Sequence, residues 1–288
     1  MKTCVSSYSF NRYLSSGGTD QLGLIRLVKD MGFDAIEFTD LKPTSGISEK
    51  DFASVLREES EKLGLPIASF TIGADLLNAE SLEREVERLF GRVDIAKILG
   101  APCMRHDATG GYKDARKHYK TFDDALPVLA DGCRKVTEYA KTQGVTTMVE
   151  NHGFFCQDSI RVERLVSKVG SGNFGLLVDI GNFLCADDPP DSAVGRTAPY
   201  AKHVHAKDFH IKSGTGDDPG RGWFRTRAGN YLRGAILGHG NVPVGQCMFA
   251  LNKAGYEGYV SIEFEGMEDN LLSIEIGLEN LQRFISLI

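Results

Sequence analysis

Lys141–Gly153, KTQGVTTMVENHG, carries the unit that decides the fold. A polar helix end stops on Gly144, the residue type that most readily takes the left-handed C-cap conformation. Val145–His152 follows at once, with the β-branched enrichment of a strand. Alternate side chains of a strand share a face, so Val149 takes one face and Glu150 the other. The result is helix, glycine stop, strand, and then a carboxylate at the strand's C-terminal end.

The unit recurs along the whole chain. Upstream, Thr3–Phe10 is strand-like, Asp20 caps a helix running to about Lys29, and Gly32 precedes the strand Ala35–Thr39. Ser48 opens a helix to Leu63 that closes on glycine before Ile67–Ile72, and Leu82–Leu99 ends at Gly100 before APCMRHDA. A long helix, Phe122–Thr142, leads into the quoted strand. Downstream come a helix over Ser159–Val169, a strand over Phe174–Ile180, a short helix over Ser192–Tyr200 and the strand-like AKHVHAKDFH of Ala201–His210. Helix Val244–Lys253, strand Tyr259–Glu265 and helix Leu271–Ile285 close the series. Eight strands alternating with helices imply a parallel sheet with helices outside, and eight repeats fit a single closed (β/α)8 TIM barrel over residues 1–288. A doubly wound sheet would carry a G-x-G-x-x-G turn after its first strand, and none is present.

Composition narrows the function. The 288 residues are 42% hydrophobic and 25% charged with a formal net charge of -6, which argues against a general nucleic-acid binder. No apolar run reaches membrane-spanning length, and MKTCVSSYSF lacks a signal peptide's apolar region, so a cytoplasmic protein is expected. Six cysteines without C-x-x-C spacing read as buried free thiols. Cys156 and Cys185 fall in polar stretches after strands, but packing is the simpler expectation.

Barrel chemistry sits at the C-terminal ends of the strands. There the fifth strand offers Glu150, the sixth (LLVDIGNF) Asp179, the seventh His205 and the eighth (YVSIEFEG) Glu263. Val149, Val178, Val204 and Ile262 hold the opposite parity, suited to packing under helices, so all four ligand-type side chains point inward. His203, His205 and Lys207 likewise share one face. A buried carboxylate is costly unless paired or metal-bound. Three carboxylates and one imidazole suit one divalent ion, Mn²⁺ or Mg²⁺ first, with Zn²⁺, Co²⁺ or Fe²⁺ compatible with the histidine. A buried ion-pair network built with Lys207 and neighbouring arginines is the alternative.

VEN, D-x-G-N, H-x-H-x-K-D and GYEGYVSIEFE on the last four strands resemble the xylose isomerase-like TIM-barrel superfamily of sugar phosphate isomerases and epimerases. The resemblance covers nearly the whole chain and is specific for the superfamily rather than for one reaction. It implies that Glu150, Asp179, His205 and Glu263 are metal ligands and that Glu150 and Glu263 also exchange protons with substrate. Metal binding at a carbonyl acidifies the adjacent C–H, and two carboxylates can remove and return that proton through an enediolate. The implied function is a metal-dependent isomerase or epimerase of a sugar, sugar phosphate or similar polyhydroxy carbonyl compound. A lyase of the inosose dehydratase type shares the ligands and differs only in expelling a hydroxyl. An endonuclease IV-like repair enzyme would need further histidines, which SFTIGADL and the position of Asn182 do not supply. The resemblance also implies a homodimer or homotetramer.

Further candidates surround this set. His106 in MRHDATG, His152 two residues beyond Glu150, Asn182 and Lys207 are expected to bind substrate or orient ligands, with Glu37 as a supporting partner. His118 reads as an exposed helix residue. Lys212–Asn241 is the longest irregular segment and carries Arg221, Arg225, Arg227 and Arg233 around Trp223 and Phe224. Such a segment is often a lid; Arg227 and its neighbours could bind a substrate anion there or form a subunit interface.

Overall fold

The computed structural model describes residues 1–43, 46–113 and 120–288, so the expectation for His118 lies outside it. The strands are β1 (Lys2–Ser6), β2 (Ala35–Thr39), β3 (Ile67–Ile72), β4 (Cys103–His106), β5 (Thr146–Glu150), β6 (Phe174–Asp179), β7 (Ala201–Ala206), β8 (Asp208–Lys212), β9 (Phe224–Arg225), β10 (Tyr231–Ala235) and β11 (Tyr259–Ile262). The helices are α1 (Asn11–Ser15), α2 (Gln21–Asp30), α3 (Glu49–Leu63), α4 (Leu82–Leu99), α5 (Phe122–Thr142), α6 (Ser159–Val169), α7 (Pro190–Thr197), α8 (Val244–Lys253) and α9 (Asn270–Ser286).

Eight strands close in the order β1-β11-β7-β6-β5-β4-β3-β2. β1 joins the ends, pairing in parallel with β11 from Lys2↔Tyr259 to Val5↔Ile262 and with β2 from Cys4↔Ala35 to Ser6↔Glu37. The expected (β/α)8 barrel is therefore observed. The caps are local and legible: Asp20 accepts from the Gly23 amide and Ser48 from that of Asp51, satisfying amides that a helix start leaves bare. α3 stops on Gly64 at φ 61°.

Alternation sorts the strand residues into two cores. Val149, Val178, Val204 and Ile262 face outward into the main core under the helices, each buried side chain contributing roughly 1.5–3 kcal/mol. Inside, Cys4, Ala35 and Ala68 form one apolar cluster and Cys103, Met148 and Leu177 another. The polar inward residues continue from these toward the C-terminal mouth.

Two departures from the sequence expectation have local causes. The first strand stops at Ser6, and Ser7–Phe10 turns as a 3₁₀ helix, pinned where the Ser9 hydroxyl donates to the Ile262 carbonyl and accepts from the Phe264 amide. The segment beyond Lys212 is not a structureless loop. β8 leaves the barrel after β7 and pairs antiparallel with β10, which pairs with β9, in a separate three-stranded sheet. Among the described residues no helix is long and apolar enough to cross a membrane.

Candidate metal centre and active-site cavity

Four strands deliver ligand-type side chains to one point at the barrel mouth. Glu150 and Asp179 are the last residues of β5 and β6, His205 is next to last in β7, and Glu263 follows β11 directly. Asp179 and His205 are register partners across β6 and β7, and Ser261, two residues before Glu263, partners His205 across β11 and β7. Equal parity at matched register makes the side chains converge. One ligand atom from each of the four lies within 4.8 Å of the other three.

His205 Nδ1 is the centre of the group. It stands 3.8 Å from Glu150 Oε1, 3.8 Å from Asp179 Oδ2 and 3.6 Å from Glu263 Oε1. Neither this nitrogen nor Asp179 Oδ2 has a hydrogen-bond partner, although both are buried. Buried polar atoms are ordinarily bonded, so two unpartnered ligand atoms facing one point fit a cation. An ion-pair network is also present. Lys207 Nζ lies 2.5 Å from Glu263 Oε2 and 3.3 Å from Asp179 Oδ2, and Arg105 Nη2 lies 2.8 Å from Glu150 Oε2. That network engages one oxygen of Glu150 and one of Glu263, leaves the other of each facing His205, touches Asp179 Oδ2 only as an ion pair outside hydrogen-bond geometry, and does not satisfy Nδ1.

The charge balance agrees. Burial, only partly opposed by Lys207 and reinforced by Glu150 and Glu263, pushes the Asp179 carboxyl up to about 6. Burial opposes the charged form of Glu263 too, but Lys207 and His205 outweigh it and hold that carboxyl well below the usual range. For His205 burial favours neutrality, yet Glu37 and Glu263 raise its pKa well above the ordinary value. A proton on this imidazole and a divalent ion are thus competing ways to offset the same negative charge.

Behind the ligands, other groups fix their orientation. Glu37 is fully buried and accepts from His205 Nε2 at 2.9 Å, with His203 Nε2 at 2.7 Å from its other oxygen. Burial alone would raise the Glu37 carboxyl, but the two histidines hold it well below the usual range. With Nε2–H donated to Glu37, Nδ1 is the atom left for ligation, the arrangement by which a carboxylate sets a ligand histidine's tautomer. Asp179 Oδ1 accepts from the Gly181 and Asn182 amides, both at 2.8 Å, which turns Oδ2 toward His205. Asn182 donates to Glu150 Oε1 at 2.8 Å and accepts from Lys207 at 3.2 Å.

A cavity of about 330 Å³ opens over these residues and is lined by Glu150, Glu263, Lys207, Arg105, Asp107 and His152 among others. That volume is at the small-ligand end of the range for binding sites. The His152 ring is half-exposed there, with Nδ1 2.9 Å from Asp107 Oδ1. Burial would lower its pKa, but Asp107 and Glu150 raise it overall.

The structure thus assembles the four expected ligands and brings Lys207 and His152 to the cavity. Asn182 is buried behind it and acts on Glu150 and Lys207 rather than lining it. Two expected substrate-binding residues are elsewhere. His106 has the wrong parity: it is fully buried on the outward face of β4 with Nδ1 on the Asp107 carbonyl. Arg105, its neighbour, takes the inward position, bridging Glu150, Asp107 at 2.6 Å and the Ile72 carbonyl at 3.1 Å. Arg105 shares parity with Cys103, which packs inside the barrel, and a basic residue at that parity is the signal that could have found it. Arg227 is bound by Asp158 at 2.9 Å and by the Phe154 carbonyl and does not line the cavity. Arg233 pairs with Glu268 and stacks on Trp223, and Arg225 lies over Tyr231. All six cysteines are free and buried; burial pushes the Cys156 and Cys185 thiols up to about 12, and neither lines the cavity.

A model of the xylose isomerase-like TIM barrel family matches residues 25–284. The chain belongs to this family. Inosose dehydratase of Bacillus thuringiensis (strain Al Hakam) is 27% identical over 163 residues, 54% of each chain, so this xylose isomerase-like barrel matches about half the length of that relative. Among solved structures, the IOLI protein with a bound zinc atom superposes with a TM-score of 0.77 at 16% identity, covering 99% of this chain and 98% of that one. L-ribulose 3-epimerase superposes with a TM-score of 0.73 at 19% identity over 99% and 94% of the respective chains. At such identities the two structures attest the shared fold.

Proposed function

We propose that this chain is a divalent-metal-dependent isomerase or epimerase of a small polyhydroxylated carbonyl compound. The observation that carries the proposal is the convergence of Glu150, Asp179, His205 and Glu263 on one point, with buried His205 Nδ1 and Asp179 Oδ2 lacking hydrogen bonds. These four residues would hold the ion, Mn²⁺ or Mg²⁺ by ligand type, with Zn²⁺, Co²⁺ or Fe²⁺ also accepted by an imidazole-containing set. Such an ion, when bound, supplies Lewis-acid polarisation of the substrate carbonyl.

Glu150 and Glu263 do the proton transfer. Both open onto the cavity, and β6 and β7 separate their strands in the barrel, so they reach substrate from different directions. One removes the proton beside the carbonyl and the other returns it. The group that returns the proton must enter the cycle as the acid and the group that removes it as the carboxylate, the two exchanging roles until solvent resets them. Lys207 beside Glu263 favours its carboxylate form, which suits Glu263 to removing the proton. Return to the opposite face of the same carbon is epimerisation; return to the neighbouring carbon is isomerisation.

Dehydration is the second reading, favoured by the inosose dehydratase likeness and by His152, which Asp107 orients at the cavity where a departing hydroxyl would need a proton. The test is Glu150→Gln and Glu263→Gln, assayed on ketoses and inososes by NMR, with folding followed by circular dichroism. Each is expected to lose roughly 10²–10⁴-fold in turnover while staying folded. Near-wild-type turnover in either folded variant removes the two-carboxylate mechanism, and a product lacking water moves the chain to the lyases.

A further inference from the structure

Accepting the carbohydrate-type chemistry proposed above, we infer that the substrate is uncharged, a free ketose, an inosose or a comparable polyhydroxylated ketone, and neither a phosphate ester nor a carboxylate. The inference comes from where the molecule has spent its anion-binding groups.

Among the described residues, the cations that line the cavity are committed, Lys42 excepted. Arg105 bridges Glu150 and Asp107, Lys207 lies 2.5 Å from Glu263 and 3.6 Å from Glu265, and His152 is held by Asp107. Among the described residues, Lys42 is the one lining cation without a carboxylate within 4.0 Å, and it is exposed to water. Tight recognition of a phosphate or carboxylate ordinarily uses charge-assisted, often bidentate donors, and among the described residues no unpaired guanidinium lines the cavity. The arginines of the β8–β10 region, Arg221, Arg225, Arg227 and Arg233, do not line the cavity, and Arg227 is paired with Asp158 and Arg233 with Glu268.

The backbone sites are occupied as well. In barrels of this kind phosphate commonly sits in the loops after the seventh and eighth strands, where successive amides form an anion-binding nest. Here the nest after β7 and β8 is filled by the chain's own carboxylate. Asp208 Oδ2 accepts from the Gly238 and Gly240 amides at 2.9 and 2.8 Å, and Oδ1 from Val242 at 3.0 Å and Phe209 at 2.8 Å. A Cβ on Gly240 would lie 2.2 Å from Asp208 Oδ1, so the pocket around that carboxylate is closed. After the eighth barrel strand, the start of α9 is capped by Asp269, which accepts from the Leu272 amide at 3.0 Å. Both places where a phosphate would be gripped hold a carboxylate instead.

What remains free in the cavity is suited to hydroxyls. Asp40 and Glu265, whose contact with Lys207 is a loose 3.6 Å, offer acceptors, and Tyr8, Asn11 and Thr71 offer groups that donate and accept. The two carboxylates bind neutral hydroxyl donors and repel an anion through the same charge.

Saturation-transfer NMR on the Mg²⁺-loaded full chain tests the inference without requiring turnover. The neutral probes are D-fructose and a keto-inositol; the anionic probes are D-fructose 6-phosphate, D-ribulose 5-phosphate and hydroxypyruvate. Saturation of the neutral probes is expected, with the anionic ones at least tenfold weaker at equal concentration. Binding of any anionic probe as tight as that of the neutral ones overturns the uncharged-substrate inference and leaves the metal-dependent mechanism intact. Binding of no probe, with Mg²⁺ shown to be bound, removes the carbohydrate reading itself and the inference with it.

Discussion

Replacing Glu37 by Gln probes the candidate metal centre through a residue that is not one of the four proposed ligands and does not line the cavity. The wild-type carboxylate faces two imidazoles at once, with His203 Nε2 at 2.7 Å and His205 Nε2 at 2.9 Å. Both ring N–H groups need acceptors, and a carboxylate provides them. A glutamine of the same volume has one acceptor oxygen, and its amide N–H₂ must face the other ring nitrogen. One imidazole therefore has to present a bare Nε2 and carry its proton on Nδ1. In His205 that places a proton on the atom standing 3.6–3.8 Å from the three carboxylates. Loss of such an orienting partner ordinarily costs ~10–100-fold in metal affinity, or roughly 1.4–2.8 kcal/mol. The assay is isothermal titration with Mn²⁺, paired with long-range ¹H–¹⁵N spectra that read the His205 tautomer directly. Glu37→Gln should stay folded, bind Mn²⁺ at least tenfold more weakly and show a changed tautomer. Wild-type Mn²⁺ affinity in the folded variant would refute the argument that Glu37 prepares Nδ1 for ligation.

Other perturbations reach the same centre from different sides. Chelation of the ion should abolish turnover, and readdition at about 100 times its dissociation constant should stabilise the fold by roughly 2.7 kcal/mol, read as a rise in Tm. Lys207→Met removes the cation facing Asp179, Glu263 and Glu265; stripping one partner from a buried ion pair costs about 3–5 kcal/mol. The metal-free variant should therefore melt well below wild type and gain more Tm on metal addition, as the ion takes over the lost charge. Asn182→Leu leaves Glu150 Oε1 and Lys207 without a shared partner, a loss of about 1–3 kcal/mol, and kcat should fall with the circular dichroism spectrum unchanged. Phe38→Ala, at a fully buried core position, should cost about 3–5 kcal/mol in denaturant titrations without altering metal stoichiometry in the folded fraction.

The barrel and its four ligand-type residues were legible because they depend on short-range regularities. A glycine stop before most strands and period-two alternation within them place Glu150, Asp179, His205 and Glu263 at one end and on one face. His106 lies outside the cavity because chemical type does not set a strand residue's face: Cys103 packs inside the barrel, so alternation turns Arg105 inward and His106 outward. The β8–β10 pairing and the capture of Arg227 by Asp158, 69 residues earlier in the chain, depend on contacts between distant segments. Nothing in local composition distinguishes a free arginine from one already bound across the molecule. The same applies to Asp208, whose place among the amides of Gly238, Gly240 and Val242 exists only once the hairpin has folded.

The central claim is proton transfer beside a carbonyl at a metal-loaded centre. Its most direct test is incubation of the metal-reconstituted chain in D₂O with a panel of ketoses and inososes, followed by NMR. The account predicts deuterium at a carbon adjacent to the carbonyl, dependent on added metal and lost in Glu150→Gln and Glu263→Gln. Solvent exchange that proceeds equally in the metal-free protein or in both variants, or no exchange across the panel with metal bound, would contradict it.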